Sequence, residues 1–183
     1  ESPCASRKVA ILANATSGHN ELAGASSLAR GVHRSSMRAR LDEPLDMTAG
    51  SLLDERIPLR ISVQTAKGPL IAPLWFHWDG ARFWCASQSD AAIVRALERA
   101  PLCAFDLSTN DMPYRGLRGR GSARCLPERG VAVLERLIDR YLPNRQTPLA
   151  TWLLSRSADE VAIEITPTWQ TTWDYSARMS DPG

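Results

Sequence analysis

The sequence predicts an α+β fold built on an antiparallel barrel with short flanking helices. Hydrophobicity alternates with a period of two over residues 59–64 and again over 160–166, the mark of strands with one buried face. An Asp79-Gly80 pair separates two apolar runs, which signals a tight hairpin. Helical spacing occurs only in short stretches, too few to supply the regular crossovers of a doubly wound parallel sheet.

In order, Leu59, Ile61 and Val63 alternate with Arg60, Ser62 and Gln64, and Lys67-Gly68 supplies a turn. Pro69 to Trp78 is apolar on both faces, and Arg82 to Ser87 returns after the Asp79-Gly80 turn, so the first three strands form a meander. Asp90 to Arg99 places Ile93, Val94 and Leu97 at helical spacing and is stopped by Pro101. Strands are predicted over Leu102 to Leu107 and Tyr114 to Leu126. The second of these carries Gly116, Gly119 and Gly121, which suit bulges or close approach to the backbone. Pro127 to Leu142 aligns Val131, Leu134, Leu137, Ile138 and Tyr141 on one helical face. A shorter helix around Leu149 to Ser155 precedes a closing strand, Glu160 to Thr166.

A chain of 183 residues, 44% apolar and 23% charged, suits one domain with a substantial core. The net charge of +2 gives no global field to draw nucleic acid or an anionic membrane, and neither is expected as a partner. Apolar runs such as Val9 to Ala13 fall far short of the roughly 20 residues that cross a bilayer. Residues 1–45 hold no aromatic side chain, whereas all six tryptophans lie beyond residue 70. That shift, near Glu43-Pro44, divides the chain into a weakly structured extension over 1–45 and one domain over 46–183, with Met47 a candidate natural start. The extension is expected to hold a short strand at Lys8 to Leu12 and a weak helix at Asn20 to Ala29. Arg7 to Ala15 imitates a signal peptide, but its apolar run is too short for one.

The four cysteines, Cys4, Cys85, Cys103 and Cys125, lack metal-ligand spacing, so no metal is expected. Three lie in apolar, strand-like sequence and read as buried free thiols, which points to a reducing, cytoplasmic compartment. His19, His33 and His77 are scattered, and His77 reads as a structural or rim histidine. The absence of a nucleophile elbow, a paired-acid motif and a Walker loop removes support for hydrolase and kinase chemistry. Arg115, Arg118, Arg120 and Arg124 form the densest basic feature. Arg118, Arg120 and Arg124 share strand parity and face one way, either as a solvated surface or as an anion site.

Several phrases resemble the pyridoxamine 5'-phosphate oxidase-like family over residues 47–179. They are Gly68-Pro69 through Pro73-Leu74-Trp75-Phe76 with Asp79-Gly80, the helix Ala91 to Pro101, Pro113-Tyr114-Arg115-Gly116 before the Gly-rich strand, and Trp173-Asp174-Tyr175. The resemblance implies a six-stranded split β-barrel and a homodimer with a flavin at its interface, either FMN or a deazaflavin. Some relatives bind haem or no cofactor. It places Pro73, Leu74 and Trp75 beside the flavin ring and Ser87 or Ser89 at the phosphate. Trp75, Phe76 and Trp78 read equally as core and dimer interface. Relatives also carry a basic residue, a lysine and an asparagine on the helix; the corresponding positions here are Ala91, Ile93 and Ala96. Arg118 and Arg120, with Arg95 in a secondary role, are expected to replace those phosphate donors. The resulting expectation is a flavin-dependent oxidoreductase acting on a small molecule, with no side chain that can be named catalytic. The alternative is a flavin-free split barrel that binds a small ligand or haem.

Overall fold

The structure, a computed structural model, describes residues 47–180. The strand expected at 8–12, the helix at 20–29 and the signal-like stretch at 7–15 lie outside the described residues.

Two hairpins and two long strands generate most of the architecture. Helix α1 (Met47–Asp54) leads into β1 (Leu59–Thr65), β2 (Gly68–Leu74), the two-residue β3 (His77–Trp78) and β4 (Phe83–Gln88). Helix α2 (Ala92–Arg99) precedes β5 (Leu102–Ser108) and β6 (Arg115–Leu126). A 3-10 turn at Pro127–Arg129 opens α3 (Gly130–Tyr141), followed by α4 (Pro148–Ser155), β7 (Glu160–Asp174) and α5 (Ser176–Ser180). The strands pair antiparallel in the order β2-β1-β5-β6-β7-β4-β3. β2 and β3 stand at opposite ends of that order, yet only Trp75 and Phe76 separate them in sequence. Seven strands at about 4.8 Å each cannot be bridged by two residues, so the sheet curls until its ends approach, as a split barrel does.

Alternation decides which side chains fill the barrel. Leu59, Ile61 and Val63 point inward with Phe105, Leu107, Leu117 and Ile165, and the Phe83 ring packs against Phe76 at 5.6 Å and Phe105 at 5.1 Å. Helix α3 lies across the outer side of β4 and β7, where Leu134 and Ile138 join Ala150 of α4 in a second cluster that includes Ala86. Thr147 caps α4 by accepting from the Ala150 N–H at 3.1 Å, with Pro148 at its first turn. Cys85 and Cys103 are free thiols in the barrel core; burial pushes both up, Cys103 to about 11. Among the described residues no helix is long and apolar enough to cross a membrane.

Three local expectations are corrected, and one element is additional. The run Pro69 to Trp78 is two strands rather than one, because Phe76 turns into the core while Trp75 turns to α3, and the ladder breaks between them. The strand expected to end at Thr166 continues to Asp174; Pro167 is tolerated because it sits at a bulge, where the β6–β7 register shifts between Arg120 and Gly121. Val131, expected on the buried face of its helix, is exposed. Helix α1 has no counterpart in the sequence expectations; it buries Leu52 and Leu53.

Candidate cofactor-binding face

Strand parity places Arg118, Arg120 and Arg124 on the outer side of β6, exposed to solvent, while Leu117, Gly119, Gly121 and Ala123 face the barrel. Cross-strand register extends this face over five strands. One row runs Pro73, Arg60, Asp106, Arg118, Thr171, and the next runs Ile71, Ser62, Ala104, Arg120, Trp169. A groove of about 480 Å³ crosses the second row, lined by Ser62, Gln64, Leu102, Ala104, Arg120 and Thr168.

The polar groups on the face are not equivalent. Arg60 is engaged: it lies 3.5 Å from the Asp106 carboxylate and donates to Ser108 Oγ at 3.2 Å and Asn110 Oδ1 at 2.7 Å. Ser108 Oγ donates in turn to Asp106 at 2.6 Å. Arg120 lies over the Trp169 ring, 5.2 Å from its centroid, which fixes the guanidinium beside the groove. The bulge contributes here too, since Thr168 is the residue left unpaired between Pro167 and Trp169, and its hydroxyl donates to the Arg120 carbonyl at 3.2 Å. Arg118 has no ion pair among the described residues. Two guanidiniums on one face, one held by a ring and one free of carboxylates, provide forked donors suited to a phosphate or carboxylate.

The glycines of β6 are sites of close approach, and the groups that approach them belong to the protein itself. A Cβ on Gly119 would lie 2.4 Å from Phe105 Cζ, and one on Gly116 would lie 2.5 Å from the Trp173 ring. The close approach they permit is that of the protein's own aromatic rings.

The remaining candidate residues divide by location. Pro73 is exposed in the row of Arg118, whereas Leu74 is buried in the barrel core and Trp75 stacks on Tyr141. Ser87 pairs with Val161 near the start of β7, eight residues along that strand from the Trp169 opposite Arg120, or roughly 26 Å of strand. The Ser89 N–H donates to the Asp159 carbonyl at 2.9 Å. Arg95 folds back to donate to the Asp90 carbonyl, ahead of its own helix. Thus Pro73, Arg118 and Arg120 share one face, and Ser87, Ser89 and Arg95 occupy another part of the chain. Of the helix positions that carry phosphate donors in the resemblance, Ile93 and Ala96 are core residues, so packing rather than anion binding sets them. Arg60, Asp106 and Trp169 were not anticipated; the polar parity of Arg60, Ser62 and Gln64 was the available signal.

The fold is that of a split barrel, and the outer face of its β6 carries exposed arginines. The chain belongs to the family described as pyridoxamine 5'-phosphate oxidase, whose sequence model matches residues 46–172. Among solved structures it is similar to an F420 reductase, with 28% identity and a TM-score of 0.56 over 66% of this chain and 94% of that one. A conserved hypothetical protein from Mycobacterium tuberculosis shares 19% identity at a TM-score of 0.62, covering 80% of this chain and 94% of that one. The haem storage protein HutZ from Vibrio cholerae shares 14% identity at a TM-score of 0.54, covering 68% and 90%, respectively. These last two likenesses concern the fold alone. No curated protein matches the chain significantly.

Proposed function

We propose that the protein is a homodimeric, cytoplasmic oxidoreductase that uses FMN or a deazaflavin to act on a small molecule, with the cofactor phosphate held by Arg118 and Arg120. The observation that carries this reading is the pair of guanidiniums on the outer face of β6 beside a groove of about 480 Å³. Family membership and the 28% identity to an F420 reductase support it. A bound flavin or deazaflavin would supply hydride transfer. The chain's own part is to anchor and orient: Arg120 is braced by Trp169, Arg118 is open to an anion, and Pro73 gives the same face a rigid edge. Ile71 and Leu102 stand 66% and 72% exposed on this face, which supports its closure by a second copy. Free Cys85, Cys103 and Cys125 agree with a reducing compartment.

Titration with FMN and with a deazaflavin, followed by flavin fluorescence and thermal stability, tests the reading. A dissociation constant of about 1 μM or tighter, equivalent to roughly 8 kcal/mol, is expected for one of them. Failure of both to bind would favour the flavin-free barrel that binds a small ligand or haem. The burial of Ile93 and Ala96 is the observation on that reading's side.

A further inference from the structure

A second concavity, of about 340 Å³, is bounded by the β3–β4 hairpin and α3 and shares no lining residue with the first. His77, Asp79 and Trp84 line one side; Arg129, Val133 and Arg136 follow one another at helical spacing on the other. Arg136 Nη1 lies 3.1 Å from His77 Nε2. A guanidinium can only donate, so Nε2 accepts and the imidazole is neutral with its proton on Nδ1. Burial, Arg136 and Arg140 lower the His77 pKa against the opposing effect of Asp79, which agrees with that tautomer.

Asp79 is the one carboxylate in the lining, and its oxygens are occupied. Oδ1 accepts from the Ala81 and Arg82 N–H groups at 2.9 and 2.8 Å, and Oδ2 accepts from Trp84 Nε1 at 2.7 Å. That last bond orients the indole, over which Arg129 lies at 5.0 Å. Neither Arg129 nor Arg136 forms an ion pair among the described residues. The lining therefore sets two positioned cations against one carboxylate already committed to its own hairpin, in a volume within the range of small-molecule sites.

We infer that this groove is a second binding site, for a small molecule carrying a single carboxylate or phosphate group held between Arg129 and Arg136. Charge-assisted forked donors replace the hydration of such an oxyanion, and Val133 with Trp84 gives its carbon skeleton an apolar wall. The site rests on none of the residues assigned to the cofactor.

The test uses the full ¹⁵N-labelled chain titrated with inorganic phosphate and, separately, with benzoate, while the Trp84 indole N–H and the His77 ring resonances are followed. At least one anion is expected to shift both resonances saturably, and comparison of the two titrations assigns the headgroup. Arg136→Gln and Arg129→Gln, both at exposed positions, should each raise the dissociation constant by about 10-fold to 150-fold. Lys67→Gln, on the β1–β2 turn, should leave it unchanged. The inference is overturned if neither anion saturates by tens of millimolar, if both arginine variants bind as the parent does, or if Lys67→Gln weakens binding equally. Should one arginine variant fail to fold by circular dichroism, the other decides.

Discussion

The Trp75 indole lies parallel to the Tyr141 ring, with centroids 4.9 Å apart and planes at 7°. Tyr141 also donates its hydroxyl to the Ile57 carbonyl at 2.8 Å and accepts from the Phe76 N–H at 3.4 Å. One side chain of α3 thus holds the corner at which the chain leaves β2 for β3 and the curled sheet brings its ends together. Tyr141→Phe keeps the stack but leaves two backbone groups unpaired, at an expected cost of about 1–3 kcal/mol. Tyr141→Ala removes the ring as well and should cost about 3–5 kcal/mol. Urea unfolding measures both, and a Phe variant as stable as the parent would show that the hydroxyl does not hold the corner.

Gly119 offers a sharper test of packing. Its missing Cβ would meet Phe105 Cζ and the Trp169 carbonyl oxygen, each at 2.4 Å, and the second contact is backbone that cannot rotate away. Gly119→Ala is therefore expected to destabilise the barrel by about 1–3 kcal/mol or more through overpacking, detectable as a lowered unfolding midpoint at unchanged slope. An unchanged midpoint would mean that β6 and β7 separate easily at this position.

Those glycines also mark how far the sequence could be read. Parity alone placed Arg118 and Arg120 on one outer face, because a strand's period is two whatever its neighbours do. What lies opposite depends on register, which is set by side chains distant in sequence: Arg60 and Asp106 meet 46 positions apart, and His77 and Arg136 meet 59 apart. The glycines were legible as sites of close approach, but not as sites filled by Phe105 and Trp173. Likewise Trp75 and Phe76 read as apolar on both faces of a strand, and only their separate partners, α3 and the core, reveal the break between them. Helix α1 gave no clear period: Leu52 and Leu53, the buried residues among its described side chains, are adjacent rather than spaced by a turn.

Glu160 predicts a pH dependence. It is buried on the outer side of β7, where one oxygen accepts from Gln88 Nε2 at 2.5 Å and Oε2 has no partner. Burial raises its pKa above the ordinary carboxylate value, against the Gln88 bond and Arg156. A carboxyl whose folded pKa is raised favours folding in its protonated form, so its contribution is fully present below the unfolded value of about 4.5 and is lost as pH rises through the folded one. Glu160→Gln should accordingly be more stable than the parent at pH 7, with the difference shrinking as pH falls through the raised folded value and essentially gone below about 4.5. Thermal unfolding across that range checks the sign; a variant less stable at pH 7 would show that the charge is compensated.

Arg118 and Arg120 carry the most consequential prediction, because they separate a cofactor site from a solvated surface. Both point outward from β6, two residues apart, and neither lies in the barrel core, so their loss should leave the fold intact. Arg120 gives up its contact with Trp169 when truncated, an exposed cation–π interaction of about 0.5–1 kcal/mol, whereas Arg118 gives up no ion pair among the described residues. Stability should therefore fall slightly for Arg120→Ala and scarcely at all for Arg118→Ala. Phosphate binding responds differently. Removing a charge-assisted donor should weaken FMN binding by about 1.5–3 kcal/mol, or roughly 10-fold to 150-fold, while a solvated arginine contributes almost nothing. Riboflavin, which lacks the phosphate, provides the internal control: the parent should prefer FMN, and each alanine variant should lose that preference while holding riboflavin as before. Parallel titrations of the three proteins with both ligands measure this directly. If both variants fold and bind FMN as tightly as the parent, and riboflavin binds equally well throughout, these arginines are surface charge and the phosphate is not held on this face.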